Sequence, residues 1–387
     1  MDALGLARLQ FAVTTSFHFL FVLLTLGLVT LVAIMQTRGA VTGNPVHARM
    51  TRFWGRLYVV NYALGIATGI VMEFQFGLNW SGLSHYAGDV FGAPLAVETL
   101  VAFFLESTFL GLWIFGWDRL GRWVHLALIW LVALTAYASA LWIMVANAFL
   151  QHPVGHEERD GVLRLVDFPA LLTNPLFTTA VWHVVLAALT VGGVFVTGVS
   201  AYHFIKRTTE VDFFRRSLRL GVVTTAVVTP LLVGAGFAQF PALMAWQPTK
   251  TADAGVGGAV GLGFMIQIGM VLLLVSWLTV PLLLRDLVVR MRFPLYLMVI
   301  GIPLPFIAAI GGWLYRELGR QPWLVYGLLR TEDAMSDVSR DGMLFSFIAF
   351  TAVFAVLAVA DWVLIARLAR RGPVEHAEPV SPLVPAL

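Results

Sequence analysis

The chain has 387 residues, of which 59% are apolar and only 12% charged, with a formal net charge of +3 and no cysteine. A soluble domain carries about 25% charged residues, so this composition, with a mean hydropathy of +0.84, excludes a soluble globular protein and leaves little room for a soluble unit. The missing cysteines exclude disulfides, thiolate-ligated haem and cysteine-ligated iron–sulfur centres. The basic residues are scattered over short links, so the charge gives no reason to expect a nucleic-acid partner; the lipid bilayer is the partner implied.

Apolar runs of roughly 20 residues can cross the hydrocarbon core as helices. Nine are predicted, near 9–35, 54–78, 95–117, 124–147, 177–204, 218–242, 260–284, 294–315 and 342–366. The first lacks a small-residue cleavage site and is too long for a signal-peptide core, so it reads as a retained span. The links 148–176 and 316–341 are the longest, and no internal repeat is visible. The expected fold is an all-α polytopic membrane protein: one transmembrane domain over 1–371, then a tail over 372–387 whose four prolines predict disorder.

Seventeen of the 25 lysines and arginines lie in links after odd-numbered spans, at the adjoining helix ends or in the C-terminal tail. The other eight, Arg8, Arg159, Arg164, Lys250, Arg316, Arg320, Arg330 and Arg340, fall on the opposite face. The positive-inside rule then puts the N-terminus outside and the C-terminus in the cytoplasm.

Ionisable residues inside spans are costly and mark pathways or cofactors. His18 lies about 14 Å in from the outer end of the first span, at 1.5 Å per residue. On the same scale Glu98 is about 5 Å into the third span with Glu106 about 12 Å deeper, and His183 is about 9 Å into the fifth. Gln267 and Met270 sit at similar depth in the seventh span, so a shared site is possible. A neutral imidazole binds haem iron well, and methionine is a common opposite ligand. A buried carboxylate can ligate iron weakly or relay protons, and Ser107 and Ser139 add hydroxyls. Glu98 and Glu106 are separated by about 80° beyond two full turns of an ideal helix. Each residue also has a plain packing reading: a helix-to-helix hydrogen bond for the histidines and glutamates, core filling for Met270. His125, His152, His156, His203 and His376 are expected at the surface. Two outer clusters, Gln239 with Trp246–Lys250 and Gly319–Trp323, suit a haem propionate, a quinone headgroup or an interfacial anchor.

The motifs narrow this. Arg8-Leu9-Gln10-Phe11 with His18-Phe19-Leu20-Phe21, Thr51-Arg52-Phe53-Trp54-Gly55, Met72-Glu73-Phe74-Gln75-Phe76-Gly77, Phe91-Gly92-Ala93-Pro94-Leu95-Ala96 and Phe103-Phe104-Leu105-Glu106-Ser107-Thr108-Phe109 occur in order. Gly116-Trp117-Asp118-Arg119-Leu120-Gly121, Ser139-Ala140-Leu141-Trp142-Ile143, Gln247-Pro248-Thr249-Lys250 and Gly319-Arg320-Gln321-Pro322-Trp323 follow. Together they resemble subunit I of the cytochrome bd quinol oxidases over nearly every span. The resemblance implies a bacterial or archaeal cell-membrane complex that oxidises quinol outside, reduces dioxygen to water and takes protons from inside. It implies haem b, with haem d as a further candidate. His18 is the implied axial ligand of one haem of the oxygen-reducing pair, and Glu98 a second iron ligand beside it. Glu106, Ser107 and Ser139 are the implied proton route, and His183 the ligand of the low-spin haem. Lys250, Arg320, Gln321 and Trp323 belong to outer-face signatures near the haems and quinol.

The chain departs from that pattern at three places. The outer loop between spans six and seven is cut to a short remnant, 243–259. Gln267 stands where the low-spin haem methionine is expected, with Met265 in place of an arginine; a shifted register would bring Met270 or Met265 into play. Ile310 stands where span eight should carry a glutamate ligand. The favoured expectation is a subunit-I-like companion, holding one haem at His18, that pairs with a fully liganded paralogous chain in place of subunit II. A short catalytic subunit with unusual ligands, paired with subunit II, is the alternative, as is a non-oxidase haem protein; a small accessory subunit is a further possible partner. A transporter is the reading left by hydropathy alone.

Overall fold

The computed structural model describes residues 1–373, so the expected disordered tail lies almost wholly outside the described residues. Among these, nine helical stretches are long and apolar enough to cross a membrane. They are α1 (Ala3–Thr42), α2 (Pro45–Leu78), α3 (Ser81–Val97) running through a π-helical turn (Glu98–Phe103) into α4 (Phe104–Phe115), and α5 (Arg122–Gln151). A hairpin of β1 (His156–Arg159) and β2 (Val162–Leu165) and short α6 (Phe168–Leu172) lead to α7 (Pro175–Ile205) and α8 (Val211–Phe237). Short helices α9 (Phe240–Trp246) and α10 (Lys250–Asp253) precede α11 (Gly255–Thr279). Then come a 3₁₀ turn (Pro281–Asp286), α12 (Leu287–Arg290), α13 (Arg292–Ile300), α14 (Leu304–Leu318), the pair β3 (Trp323–Val325) and β4 (Leu329–Arg330), α15 (Thr331–Ala334) and α16 (Arg340–Arg371).

The helices outrun the hydropathy windows because polar turns continue them beyond the apolar stretch. The third span shows this most: it begins at Ser81, not near 95, so Glu98 lies about 26 Å along it rather than near its outer end. Capping explains several ends. Asp2, Asn44, Asn174 and Ser339 each accept a backbone N–H of the helix they open. Pro45 and Pro175 occupy first-turn positions where no N–H is needed. Pro230 inside α8 leaves the Ala226 carbonyl without its helical donor, and the Trp277 indole of α11 fills the gap at 2.9 Å.

The two long links are not structureless. Each folds into a two-stranded hairpin with a short helix. The Leu165 N–H donates to Asp89 at the start of span three, and the Tyr326 N–H to the Leu150 carbonyl at the end of α5. Arg340 reaches the Met1 carbonyl, so the N-terminus shares this hairpin face. The opposite ends carry the arginine-rich links, paired as Arg49–Glu210, Arg52–Asp118 and Arg219–Asp286.

The centre of the bundle is α1 packed on α7. Between lipid-like surfaces, close backbone approach replaces the hydrophobic effect as the force joining helices. A Cβ on Gly27 would lie 2.2 Å from the Ala188 carbonyl oxygen, and one on Gly192 2.7 Å from the backbone of Gly27. No side-chain rotation relieves a clash with backbone. Gly192→Leu is therefore expected to cost about 3 kcal/mol or more, read as a large drop in the thermal midpoint of the detergent-solubilised protein; an unchanged midpoint would contradict the crossing.

Candidate haem and proton site

His18 of α1 is half-buried, and its Nδ1 lies 3.0 Å from the Thr68 hydroxyl of α2. That hydroxyl spends its own proton on the Gly65 carbonyl at 2.7 Å, so it can only accept from the imidazole. The network thus assigns the proton to Nδ1 and leaves the Nε2 lone pair free. A metal-bound histidine is oriented in this way by a partner on its other nitrogen. Gly69 clears space for the ring: a Cβ there would sit 3.1 Å from His18 Cε1.

His183 of α7 repeats the arrangement. Its Nδ1 meets the Leu232 carbonyl at 3.2 Å, which again leaves Nε2 as the open nitrogen, and Gly236 of α8 gives the ring room. Span seven runs level with this point, since a Cβ on Gly269 would approach Val233 to 3.8 Å. Both histidines therefore fit iron ligation by the chemistry of their unpaired Nε2 atoms.

The opposite ligands fit less well. Gln267 is exposed and Met270 is 48% exposed. The Met265 sulfur is packed against α14, only 2.4 Å from where a Gly312 Cβ would be. Ile310 offers no donor atom. Glu317, at the end of the same helix, is already committed: it accepts from Arg320 at 2.6 Å, Asn147 at 3.1 Å and Gln151 at 3.3 Å.

Glu98 opens the π-helical turn, four residues after Pro94. A π turn takes more residues than an α turn, so it winds the chain back and reduces the separation expected between Glu98 and Glu106. Such turns recur at functional sites. The Ser139 hydroxyl of α5 donates to Glu98 Oε1 at 2.5 Å, and Thr99 to Oε2 at 3.2 Å. Ser139 thus sits on Glu98. Glu106 is 5% exposed and within electrostatic reach of Glu98, Tyr58 and Tyr62, and the buried Tyr58 hydroxyl has no protein partner. Glu73, read from sequence only as part of a motif, also lies within reach of Glu98; its spacing on a strongly apolar helix was the available signal.

At the hairpin end, the 243–259 remnant folds into the end of α9, α10 and the start of α11. Buried Lys250 donates to Gln151 Oε1 at 2.8 Å and to the Arg316 carbonyl at 2.9 Å. Arg316 in turn donates to Asn147, and Gln247 to the Gln151 carbonyl. Arg320 is 2% exposed and pairs with Glu317, yet its Nε and one terminal nitrogen have no partner; neither has Gln247 Oε1. Unpaired buried guanidinium nitrogens are costly and fit a missing anionic or carbonyl group. Gln321 and Trp323 are not in this cluster: Gln321 accepts from Thr331, and Trp323 lies under the Arg330 guanidinium.

Burial, with Arg316 adding to it, pulls the Lys250 ammonium down from 10.5 to about 7. The unfolded lysine keeps its proton to higher pH, so between those values unfolding takes up a proton and stability rises with pH. The native melting midpoint should therefore rise from pH 7 to pH 9, and Lys250→Met should flatten the slope; an equal slope in both proteins would remove Lys250 as its source.

Two histidines expected at the surface are buried. His125 is bonded to Gln36 and the Trp113 carbonyl, each at 2.9 Å. His203 Nε2 donates to the Ala369 carbonyl at 2.7 Å, and the ring stacks on Phe214. Both nitrogens of His125 are occupied, so it holds helices together. His376 lies outside the described residues.

This fold and site define a helical membrane protein with two intramembrane histidines, each with Nδ1 bonded and Nε2 unpaired, and an intramembrane carboxylate group. The chain belongs to the cytochrome bd terminal oxidase subunit I family, whose model matches residues 6–256 and 260–373. It is 37% identical to the cytochrome bd ubiquinol oxidase subunit 1 of Bacillus subtilis (strain 168), over 98% of this chain and 97% of that one. It is 32% identical to the cytochrome bd-II ubiquinol oxidase subunit 1 of Escherichia coli (strain K12), over 96% and 97%. The bd oxidase structure from Geobacillus thermodenitrificans superposes with a TM-score of 0.90 at 25% identity, covering 96% of this chain and 99% of that one. The chain is thus a multi-pass membrane subunit of a bd-type quinol oxidase, an oxidoreductase complex that uses haem and quinol.

Proposed function

We propose that this chain is a subunit-I-like companion within its oxidase, partnered by a fully liganded paralogous chain that supplies the remaining haem ligands. One observation carries the reading: Ile310 stands where an iron-binding carboxylate is expected, and Glu317, the carboxylate nearest in sequence, is tied to Arg320, Asn147 and Gln151. Gln267 and the packed Met265 sulfur point the same way. His18, with its unpaired Nε2, would hold haem b or haem d, with Glu98 as a further candidate ligand, and His183 would hold a second haem. When bound, haem supplies the electron transfer and dioxygen chemistry; the chain's residues orient it and hold protons.

The arginine-rich ends face the cytoplasm, so the hairpin end is outside and Lys250 and Arg320 face quinol or a haem propionate there. Glu98, bridged by Ser139, and Glu106, near Ser107, Tyr58 and Tyr62, hold protons on the route from inside. The open nitrogens of His18 and His183 also keep a second reading in play, a short catalytic subunit I with unusual opposite ligands beside subunit II.

Haem content per chain, with reduced-minus-oxidised spectra, separates the two. The companion reading expects the isolated chain to hold fewer than three haems and the native complex to contain a second subunit-I-like chain. Three haems with full quinol oxidase turnover from this chain and subunit II would overturn it.

A further inference from the structure

Asp361 is a carboxylate in the middle of the last span that the haem and proton groups above do not use. It is 2% exposed, and its Oδ1 has no hydrogen-bond partner. The side chain lines a cavity of about 10 Å³ between α1, α2, α7, α14 and α16, about the smallest space that admits one water. Opposite it stands Asn61 of α2, 1% exposed. The Asn61 Nδ2 donates to the Phe21 carbonyl at 2.9 Å and to the Thr25 hydroxyl at 2.8 Å. Because the Phe21 carbonyl can only accept, the amide orientation is fixed and Oδ1 is left as a free acceptor. The other walls are apolar, among them Phe21, Phe195, Phe306 and Trp362, and no other ionisable side chain lines the cavity.

A carboxylate with no cation facing it is poorly tolerated in such a place. A carboxyl that keeps its proton, with a water that accepts it and donates to Asn61 Oδ1, gives partners to the carboxyl O–H and to the Asn61 oxygen. Depth places this group opportunely. Asp361 lies about 15 Å from the arginine-rich end of α16, and Glu106 about 14 Å from the corresponding end of α4. Between them stands α2, with Asn61 flanked in sequence by Tyr58 and Tyr62, the two tyrosines within reach of Glu106.

We propose that Asp361, Asn61 and one water form a second membrane-embedded proton-holding site, separate from the Glu98–Glu106 group. The transferred species is a proton alone: it moves between the Asp361 carboxyl and the water, and no redox partner is needed. The site stands whether the chain is a companion or a catalytic subunit.

Infrared difference spectroscopy of the intact complex on exchange from H₂O to D₂O tests it. The expected result is one protonated-carboxyl C=O band that shifts on exchange, is lost in Asp361→Asn and is retained but displaced in Asp361→Glu. Asn61→Leu should displace the same band by removing the water's acceptor. An Asp361→Asn spectrum identical to the native one in the carboxyl region would overturn the site. Should Asp361→Asn not assemble, Asp361→Glu decides: an undisplaced band set rejects the assignment.

Discussion

Replacing His18 with alanine should remove one haem per chain from the purified complex, read as a loss of pyridine-haemochrome absorbance and of the matching band in the reduced-minus-oxidised spectrum. The magnitude is large because an alanine leaves no nitrogen near the iron position, and no other histidine is available at that point of α1. The finer test is Thr68→Val. That change keeps the shape but removes the acceptor of the Nδ1 proton at 3.0 Å, so the ring loses its orientation and the tautomer is no longer fixed. Loss of such an outer partner weakens metal binding by about 10–100-fold. Thr68→Val should accordingly release haem at lower detergent or chelating-protein concentrations while His18 remains. Full haem content in His18→Ala would reject iron ligation at this residue; an unaltered release rate in Thr68→Val would reject only the orienting role.

Glu106→Gln is expected to slow proton uptake during turnover by at least about 10²-fold, the lower end for loss of a positioned proton-transfer group. The amide matches the carboxyl in size, so packing around this 5%-exposed residue survives. Stopped-flow uptake with a pH indicator in proteoliposomes measures the effect, and haem spectra check that the complex is otherwise intact. Ser139→Ala should act through Glu98, whose Oε1 loses its 2.5 Å donor, and should therefore perturb the haem spectrum more than it slows uptake. Normal uptake in Glu106→Gln would mean that Glu106 carries no proton traffic.

The nine spans, their order and the identities of His18, Glu98, Glu106 and His183 were legible in the sequence, because bilayer thickness and the cost of intramembrane charge leave few alternatives. That Gln267 and Ile310 stand where a methionine and a glutamate are expected rests on the family resemblance, not on hydropathy. Span ends were misread where polar turns extend a helix past the apolar window, as at Ser81. The hairpins in the two long links were missed for a related reason: short strands with mixed charge have no strong periodic signal.

What the tertiary structure decided is direction and pairing. Only packing shows that Thr68 and Leu232 take the Nδ1 protons of His18 and His183 and leave the Nε2 atoms open. The π-helical turn that reorients Glu98, and Ser139's placement on it, depend on α5 lying beside span three. The commitment of Glu317 to Arg320 and the solitary position of Asp361 arise from residues far apart in the chain. Hydropathy reads depth along one helix; it carries no information on rotation about the axis or on which helices touch, and those two quantities set every contact at this site.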